Sequence, residues 1–528
     1  MKHSLCLCVS LIVAGLLLSA CGAHDEMGFF KTDKDRFLSA DKLTYASNAA
    51  GPSVPNGPEQ AAVTGATFDT MYFRNYGTNP FIDADEDALS TFAIDVDTGS
   101  YTITRSYLNH GALPPMEAVR VEEFVNYFDY GYASSGGEAD AVTILTEAAP
   151  SAFRENKTLL RVALQARGLS KAERKPAILT FVIDTSGSMG REDRLGLIKE
   201  TLRMLVYQMT EDDEIGIAVY GNRGREWLSH RGIDDQRTIL AKIDAIKAEG
   251  STNAEEGLKV GYAMAKRAYQ PGAVNRVILC SDGVANVGAT GPDEILEHIR
   301  GHANKGITLT TIGVGMGNYN DVLMEQLADD GNGSYHYVDS LKESRRVFIE
   351  RLPATLETVA RDTKVQVEFN PDVVRNYRLI GYENRAVADQ DFRTDSDGGE
   401  MGAGQAVTAL YEVRLWPGKP GNIATVNVRY KDEAQGGRTV ERTQDIQASQ
   451  VKRDFEAASD SFQLAACVAQ FSEILRGSYW VRDTDLKPVQ KRIERLHAAN
   501  NSQETEELIA LIRTARTLNA DNRTLSDP

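Results

Sequence analysis

Between Pro176 and about Leu352, short apolar runs alternate with stretches whose apolar residues recur every three to four positions. Residues 177–183 form an apolar run of the kind expected for a strand covered on both faces. Behind it, Leu195, Ile198, Leu202, Leu205, Val206 and Met209 fall at helical spacing. The pattern then predicts strands at 214–220, 276–281 and 307–313, and helices near 235–247, 254–269, 292–304 and 319–328. Strands alternating with helices imply α/β architecture with a doubly wound, mostly parallel sheet.

The flanking segments have a different rhythm. Ahead of Pro176 stand strand-like runs at 90–96, 141–146 and 158–164, with helical stretches at 101–108 and 119–127. After Thr363 the period becomes 2, predicting antiparallel strands at 365–369, 409–416 and 424–430 between glycine- and proline-rich turns. From about Asp460 the chain is helical again, at 462–475, 486–497 and 504–518. Neither group of strands is numerous enough for a sheet pair of its own. The expectation is a β-sandwich built from both, with the α/β unit inserted in it. The boundaries read from the sequence are 67–170 for an N-terminal α+β region and 176–352 for the α/β domain. Residues 363–450 supply the later sandwich strands, and 458–528 a C-terminal helical region. No internal repeat is present.

Composition alters this picture mainly at the N-terminus. A chain of 528 residues exceeds what one core supports. Its formal net charge of −17 argues against nucleic acid as a partner, and against electrostatic docking on anionic lipid. Lys2 and His3 precede an apolar run at 4–18, too short and wrongly flanked for an ordinary transmembrane helix. It ends at Leu18-Ser19-Ala20-Cys21, which resembles a bacterial lipoprotein signal. The resemblance implies cleavage of residues 1–20, lipid on Cys21 and, because Gly22 follows, anchoring at the outer membrane. A plain secretory signal is the alternative. Residues 21–66 are rich in Ala, Gly, Ser, Pro and Asn and read as a flexible tether. Beyond them only Cys280 and Cys467 remain, which is no disulfide framework. Cys280 sits in an apolar run as a small buried hydrophobe, although a Cys280–Cys467 bridge stays open.

The candidate chemistry lies at the carboxyl ends of the central strands, where open α/β sheets place ligands. The first strand runs into Asp184-Thr185-Ser186-Gly187-Ser188-Met189-Gly190, a D-x-S-x-S pattern. One carboxylate and two hydroxyls on a tight turn offer hard oxygen donors with little charge, which suits Mg²⁺ or Ca²⁺ rather than zinc or copper. The loop Gly250-Ser251-Thr252-Asn253 adds a hydroxyl at Thr252, and the strand ending at Cys280 leads to a second carboxylate at Asp282. Read alone, Asp184-Thr185-Ser186 is also a good helix N-cap. Together the three motifs resemble the metal-ion-dependent adhesion site of von Willebrand factor A domains. That resemblance spans about 176–352. It implies direct coordination of Mg²⁺ (or Ca²⁺ or Mn²⁺) by Ser186, Ser188 and Thr252. Asp184 and Asp282 act largely through water, and one position stays open for an acidic oxygen from a protein partner. A metal that merely stiffens this end of the domain is the milder alternative.

The flanks carry a resemblance too. Residues 79–101, with Ile94-Asp95-Val96-Asp97-Thr98-Gly99-Ser100-Tyr101, and Val121-Glu122-Glu123-Phe124-Val125-Asn126-Tyr127-Phe128 are similar to the N-terminal region of bacterial von Willebrand factor A lipoproteins. Phe462-Gln463-Leu464-Ala465 and 471–477 are similar to their C-terminal region, which has no understood role. This brings an architecture and no defined activity.

Other motifs read as structure. Asp83, Asp85 and Asp87 lack the glycine and the closing glutamate of a calcium loop and read as a solvated turn. Asp95 and Asp97 are ambiguous between strand-end caps and a site. His298 and His302 have metal-ligand spacing but read as helix-end residues. Residues 313–318 fail the dinucleotide glycine pattern and read as a loop beside the metal site. Among residues 127–132, Phe128 reads as core, while the last tyrosines stay open as a contact patch. Three functional classes follow. The favoured one is an envelope-anchored, metal-dependent protein binder that is not an enzyme. The others are a metal-assisted hydrolase working through Asp184 and Asp282, and a structural scaffold.

Overall fold

The computed structural model describes residues 71–526 apart from 134–139, 171, 284–291, 318, 352–355, 396–397 and 483. The expected signal at residues 1–20, the expected tether at 21–66 and Cys21 lie outside the described residues.

The chain opens with β1 (Ile82–Asp83) and β2 (Leu89–Ala93), then α1 (Gly99–Asn109) and α2 (Val121–Tyr127). Two longer strands follow, β3 (Val142–Pro150) and β4 (Thr158–Ala166). The α/β unit comes next. Its elements are β5 (Ala177–Asp184), α3 (Leu197–Val206), β6 (Glu214–Tyr220), β7 (Gly224–Gly232), α4 (Gln236–Asp244), α5 (Ala254–Arg267) and β8 (Val274–Ser281). They continue with α6 (Pro292–Ala303), β9 (Ile307–Val314), α7 (Asp321–Asp330), β10 (Tyr335–Val338) and α8 (Leu341–Arg345). The remaining strands are β11 (Thr358–Phe369), β12 (Val374–Ile380), β13 (Gly399–Gly402), β14 (Ala406–Leu415), β15 (Asn422–Asp432) and β16 (Arg438–Gln447). The chain closes with α9 (Asp460–Leu475), α10 (Leu486–Asn500) and α11 (Gln503–Ser526).

Strands from both ends of the chain share two sheets, as their numbers required. One has the order β1-β12-β14-β4-β3; the other has β13-β11-β15-β16, with β2 also paired to β11. β4 lies antiparallel to β14, more than two hundred residues later, and Lys364 of β11 faces Ala93 of β2. The inner faces of both sheets meet in one core that includes Phe92, Val162, Leu164, Val367, Phe369, Tyr411 and Val428. The α/β unit is therefore inserted between β4 and β11 of a sandwich. Its own sheet runs β10-β9-β8-β5-β6-β7, parallel except for β7. β5 is buried at every residue because it is flanked by β6 and β8 and covered by helices on both faces.

The helix α5 crosses this strand closely. A Cβ on Gly261 would stand 2.2 Å from Val182 Cγ2. Gly261→Ala is therefore expected to destabilise the protein by about 1–3 kcal/mol through overpacking, despite alanine's better helix propensity. A urea midpoint at or above that of wild type would show that the helix can lift away.

α9, α10 and α11 form a further layer. Their buried Phe462, Phe471, Val489, Ile493 and Ile512 share a core with Phe124, Tyr127 and Phe128 of the α2 region and with Leu159 and Leu410 of the sandwich. The tyrosines left open as a contact patch are inward: Tyr130 donates to Val125 O (2.7 Å), and Tyr132 shares a hydrogen bond with Thr408.

Six strands, β1, β7, β10, β12, β13 and β16, escape the hydrophobic pattern. β16 buries mainly Val440 and Ile446 along ten residues, β7 buries only Leu228 at a sheet edge, and β10 has four residues. β12 hides its signal because Arg378, which looks exposed by type, is buried in ion pairs. The open Cys280–Cys467 bridge is absent. Both thiols are free and buried, in two different cores.

Candidate functional site

β5 delivers Asp184 to the carboxyl end of the parallel sheet with no exposed surface. Its Oδ1 accepts from Ser186 N (2.8 Å) and its Oδ2 from Ser281 Oγ (3.0 Å). Burial pushes the Asp184 carboxyl up to about 6; the hydrogen bonds from Ser186 and Ser281 oppose that, and nearby Asp282 adds to it. Ser186 heads a short 3₁₀ turn, Gly187–Gly190, but its hydroxyl caps no backbone N–H. It lies 3.0 Å from Ser188 Oγ instead. The N-cap reading therefore holds only for the Asp184 carboxylate on Ser186 N. The two serine hydroxyls are left as a pair of neighbouring oxygens, one buried and one exposed.

The second loop is sewn to the first through backbone. Gly187 N donates to Gly250 O (2.9 Å) and Glu249 N to Thr185 O (2.5 Å), while Thr185 N and Oγ1 both donate to Tyr220 O at the end of β6. Gly250 has φ +90°, and a Cβ there would stand 2.9 Å from Asn222 Oδ1. That oxygen accepts from Ser251 N (2.6 Å) and Ser251 Oγ (2.8 Å). Asn253 then caps α5 through Glu256 N (3.2 Å). Thr252 is half-buried between these two anchors. No hydrogen bond joins its side chain to the other four candidates among the described residues.

Asp282 follows β8, is buried, and has a partner that sequence reading missed. Arg194, in a π-helical turn ahead of α3, pairs with Asp282 and donates to Ser188 O (3.3 Å) and Met316 O (2.5 Å). Gly315, at φ +73°, makes room for it, since a Cβ there would stand 2.4 Å from Arg194 Nε. The glycine-rich segment at 313–317 thus lies beside the site as a clasp on Arg194. Asn222 and Arg194 are both positioning residues. The glycines at 250 and 315 were their only trace in the sequence.

The structure therefore ties Asp184, Ser186 and Ser188 directly, links Asp282 through its neighbour Ser281 and through charge, and brings Thr252 in on an anchored loop. The donor set is oxygen throughout, which fits Mg²⁺, Ca²⁺ or Mn²⁺. Two buried carboxylates against one guanidinium leave a surplus negative charge that a cation would neutralise. Three histidines of the α/β domain are engaged elsewhere: His230 bonds Thr180 (2.9 Å), His336 bonds Ser334 (3.0 Å), and His302 stacks on Tyr262.

Comparison with known proteins agrees with this architecture. Residues 67–161 match the family described as von Willebrand factor, and residues 179–352 the von Willebrand factor type A domain. Residues 354–419 and 414–518 match the family described as Uncharacterized protein YfbK, C-terminal. Uncharacterized protein YfbK of Escherichia coli is 34% identical over 471 residues, which cover 84% of this chain and 81% of that protein. Inter-alpha-trypsin inhibitor heavy chain H3 of Homo sapiens is 28% identical over 169 residues, 30% of this chain and 18% of that protein. Among solved structures, von Willebrand factor type A from Catenulispora acidiphila is 16% identical, covers 72% of this chain and 91% of its own, and superposes with a TM-score of 0.43.

Proposed function

Because the chain belongs to the bacterial von Willebrand factor type A family that includes uncharacterized protein YfbK, we propose that it is a divalent-cation-dependent protein-binding module, lipid-anchored in the cell envelope. The observation that supports the reading is that Asp184, Ser186 and Ser188 lie together at the carboxyl end of the sheet, with Asp282 nearby and the Thr252 loop joined to them through the Gly187–Gly250 backbone hydrogen bond. Ser186, Ser188 and Thr252 would hold Mg²⁺ (or Ca²⁺ or Mn²⁺), with Asp184 and Asp282 behind them. The ion would supply an electrophilic coordination position for an oxygen donor.

The charges around the cluster say which kind of donor. Arg194 neutralises Asp282, so Asp184 is the one carboxylate left to balance a dication. The loaded site keeps a net positive charge and attracts an anionic oxygen. An Asp or Glu side chain on a partner protein meets that need. Arg194 and the clasp around it hold Asp282 in place, and the exposed Ser188 marks the open side. Among the described residues, His230, His336 and His302 are committed to other contacts, which gives a hydrolase reading less support.

The anchor rests on Leu18-Ser19-Ala20-Cys21 after the apolar run at 4–18. Gly22 after the cysteine favours the outer membrane. The test is capture of envelope proteins by the chain from Thr67 onward, in Mg²⁺, in EDTA, and with Asp184→Ala in Mg²⁺, each sample checked by circular dichroism. The expected result is a partner retained by the wild type in Mg²⁺ and lost at least tenfold in the other two. Equal retention in all three would end the metal-bridge reading and favour a scaffold whose sandwich or helical tail does the binding.

A further inference from the structure

Asp95 and Asp97 follow β2, and Glu123 lies on α2, in the two segments that carried a resemblance without a role. Both segments close against α7 of the inserted domain. There Asp95, Glu123 and Glu325, each buried, present one oxygen apiece within 4.8 Å of one another. Two oxygens bound to one Ca²⁺ stand at most about 5 Å apart, and to one Mg²⁺ at most about 4.2 Å, so the spread suits the larger ion.

Two further observations point to a missing cation. Five buried carboxylates, those of Asp95, Asp97, Glu123, Asp321 and Glu325, lie against two guanidinium groups, Arg120 and Arg385. Glu325 gives its Oε1 to Asn384 (2.8 Å) and Arg385 (3.1 Å), but its buried Oε2 accepts no hydrogen bond among the described residues. Arg120 Nη2 stands 3.9 Å from that oxygen and is itself without a hydrogen-bond acceptor among the described residues. A buried carboxylate oxygen left in this state is costly unless something charged completes it. Burial pushes Asp97 and Glu123 well above the usual carboxylate range, and Glu325 up to about 7. A cavity of about 200 Å³, lined by Asp95, Asp97, Asp329, Asn384 and Arg385, adjoins the cluster and has room for the water that completes a calcium shell.

We propose that Asp95, Glu123 and Glu325 form a second divalent-cation site, of calcium class, that fastens the inserted α/β domain to its sandwich frame. It is separate from the loop site at Asp184 and does not rest on the adhesion reading. The three ligands come from the end of β2, from α2 and from α7, so an ion there crosslinks segments some two hundred residues apart in sequence.

The test uses the full chain carrying Asp184→Ala, which disables the loop site and leaves this cluster untouched. Titration calorimetry with CaCl₂ at pH 7.5 is expected to find one Ca²⁺ per chain. Saturating Ca²⁺ is expected to raise the melting temperature by roughly 3–5 °C over EDTA. Adding Glu325→Gln should abolish both effects. The proposal is overturned if Asp184→Ala binds no Ca²⁺ and melts at the same temperature in Ca²⁺ and EDTA. That comparison needs no change in the cluster, so it decides the matter even if Glu325→Gln fails to fold. Calcium-independent melting that rises as pH falls from 7.5 to 6 would assign the surplus charge to protons, and would overturn it too.

Discussion

Arg378→Met lowers unfolding stability by about 3 kcal/mol at pH 7, the expected cost of breaking a buried ion network by removing its cation. Arg378 stands on β12 with 1% exposure. Its Nε and Nη2 meet Glu412 Oε2 across the strand pair (3.1 and 2.9 Å), and Nη2 also reaches Glu473 of α9 (3.0 Å). Methionine keeps most of the volume and none of the charge. Glu412 retains Arg154 (2.9 Å) and Glu473 retains Arg476, which places the cost at the low end of the range for such losses. Adding Glu412→Gln is expected to recover about half, because the freed Arg154 is partly exposed and can be hydrated. Chemical denaturation of the three proteins decides it. A loss under 1 kcal/mol would show that the apolar core around Phe462 and Phe471, not the ion network, holds the helical tail to the sandwich.

The same residue explains why part of the frame was illegible. Hydrophobic period reveals a strand when its inward positions are apolar. In β5 or β15 they are, and the sequence located both. In β12 an inward position is Arg378, acceptable only because Glu412 and Glu473 arrive from distant segments. Pairing at such separation leaves no local trace. The insertion itself was legible, since the flanking strands were too few to close alone. The loop site was also legible in its oxygens, because D-x-S-x-S, Thr252 and Asp282 each follow a readable strand or precede a readable helix. What sequence could not show was how the loops are held: Arg194 and Asn222 act through partners in other loops, and only glycines at 250 and 315 hinted at the close approach. Asp95 and Asp97 stayed ambiguous for the same reason. Their meaning depends on Glu123, Glu325 and Arg385, which the fold alone assembles.

Glu343 gives the sharpest pH signature. It lies on α8 of the inserted domain and bonds Arg105 of α1 (2.8 Å), the Tyr127 hydroxyl (3.0 Å) and Arg346 (3.0 Å). Arg105 in turn holds Asp339 (2.6 Å) and Glu507 of α11 (2.9 Å), so inserted domain, N-terminal helices and tail meet at one carboxylate. Burial by itself pushes the Glu343 carboxyl up, but Arg346 and Arg105 more than reverse that, and it is lowered from 4.5 to about 2. A depressed carboxyl stabilises the folded state above its unfolded pKa, and that contribution is lost as pH falls through the folded value. The shift corresponds to something on the order of 3 kcal/mol, fully present above about pH 5 and gone near pH 2. Glu343→Gln, which mimics the protonated acid, should therefore be less stable than wild type by about that amount at pH 7. The gap should close steadily between pH 4.5 and 2. Unfolding free energies of both proteins across that range provide the check. A gap that stays constant with pH would mean that the glutamine loses packing or hydrogen bonds, and that the charge on Glu343 is not what joins the three parts.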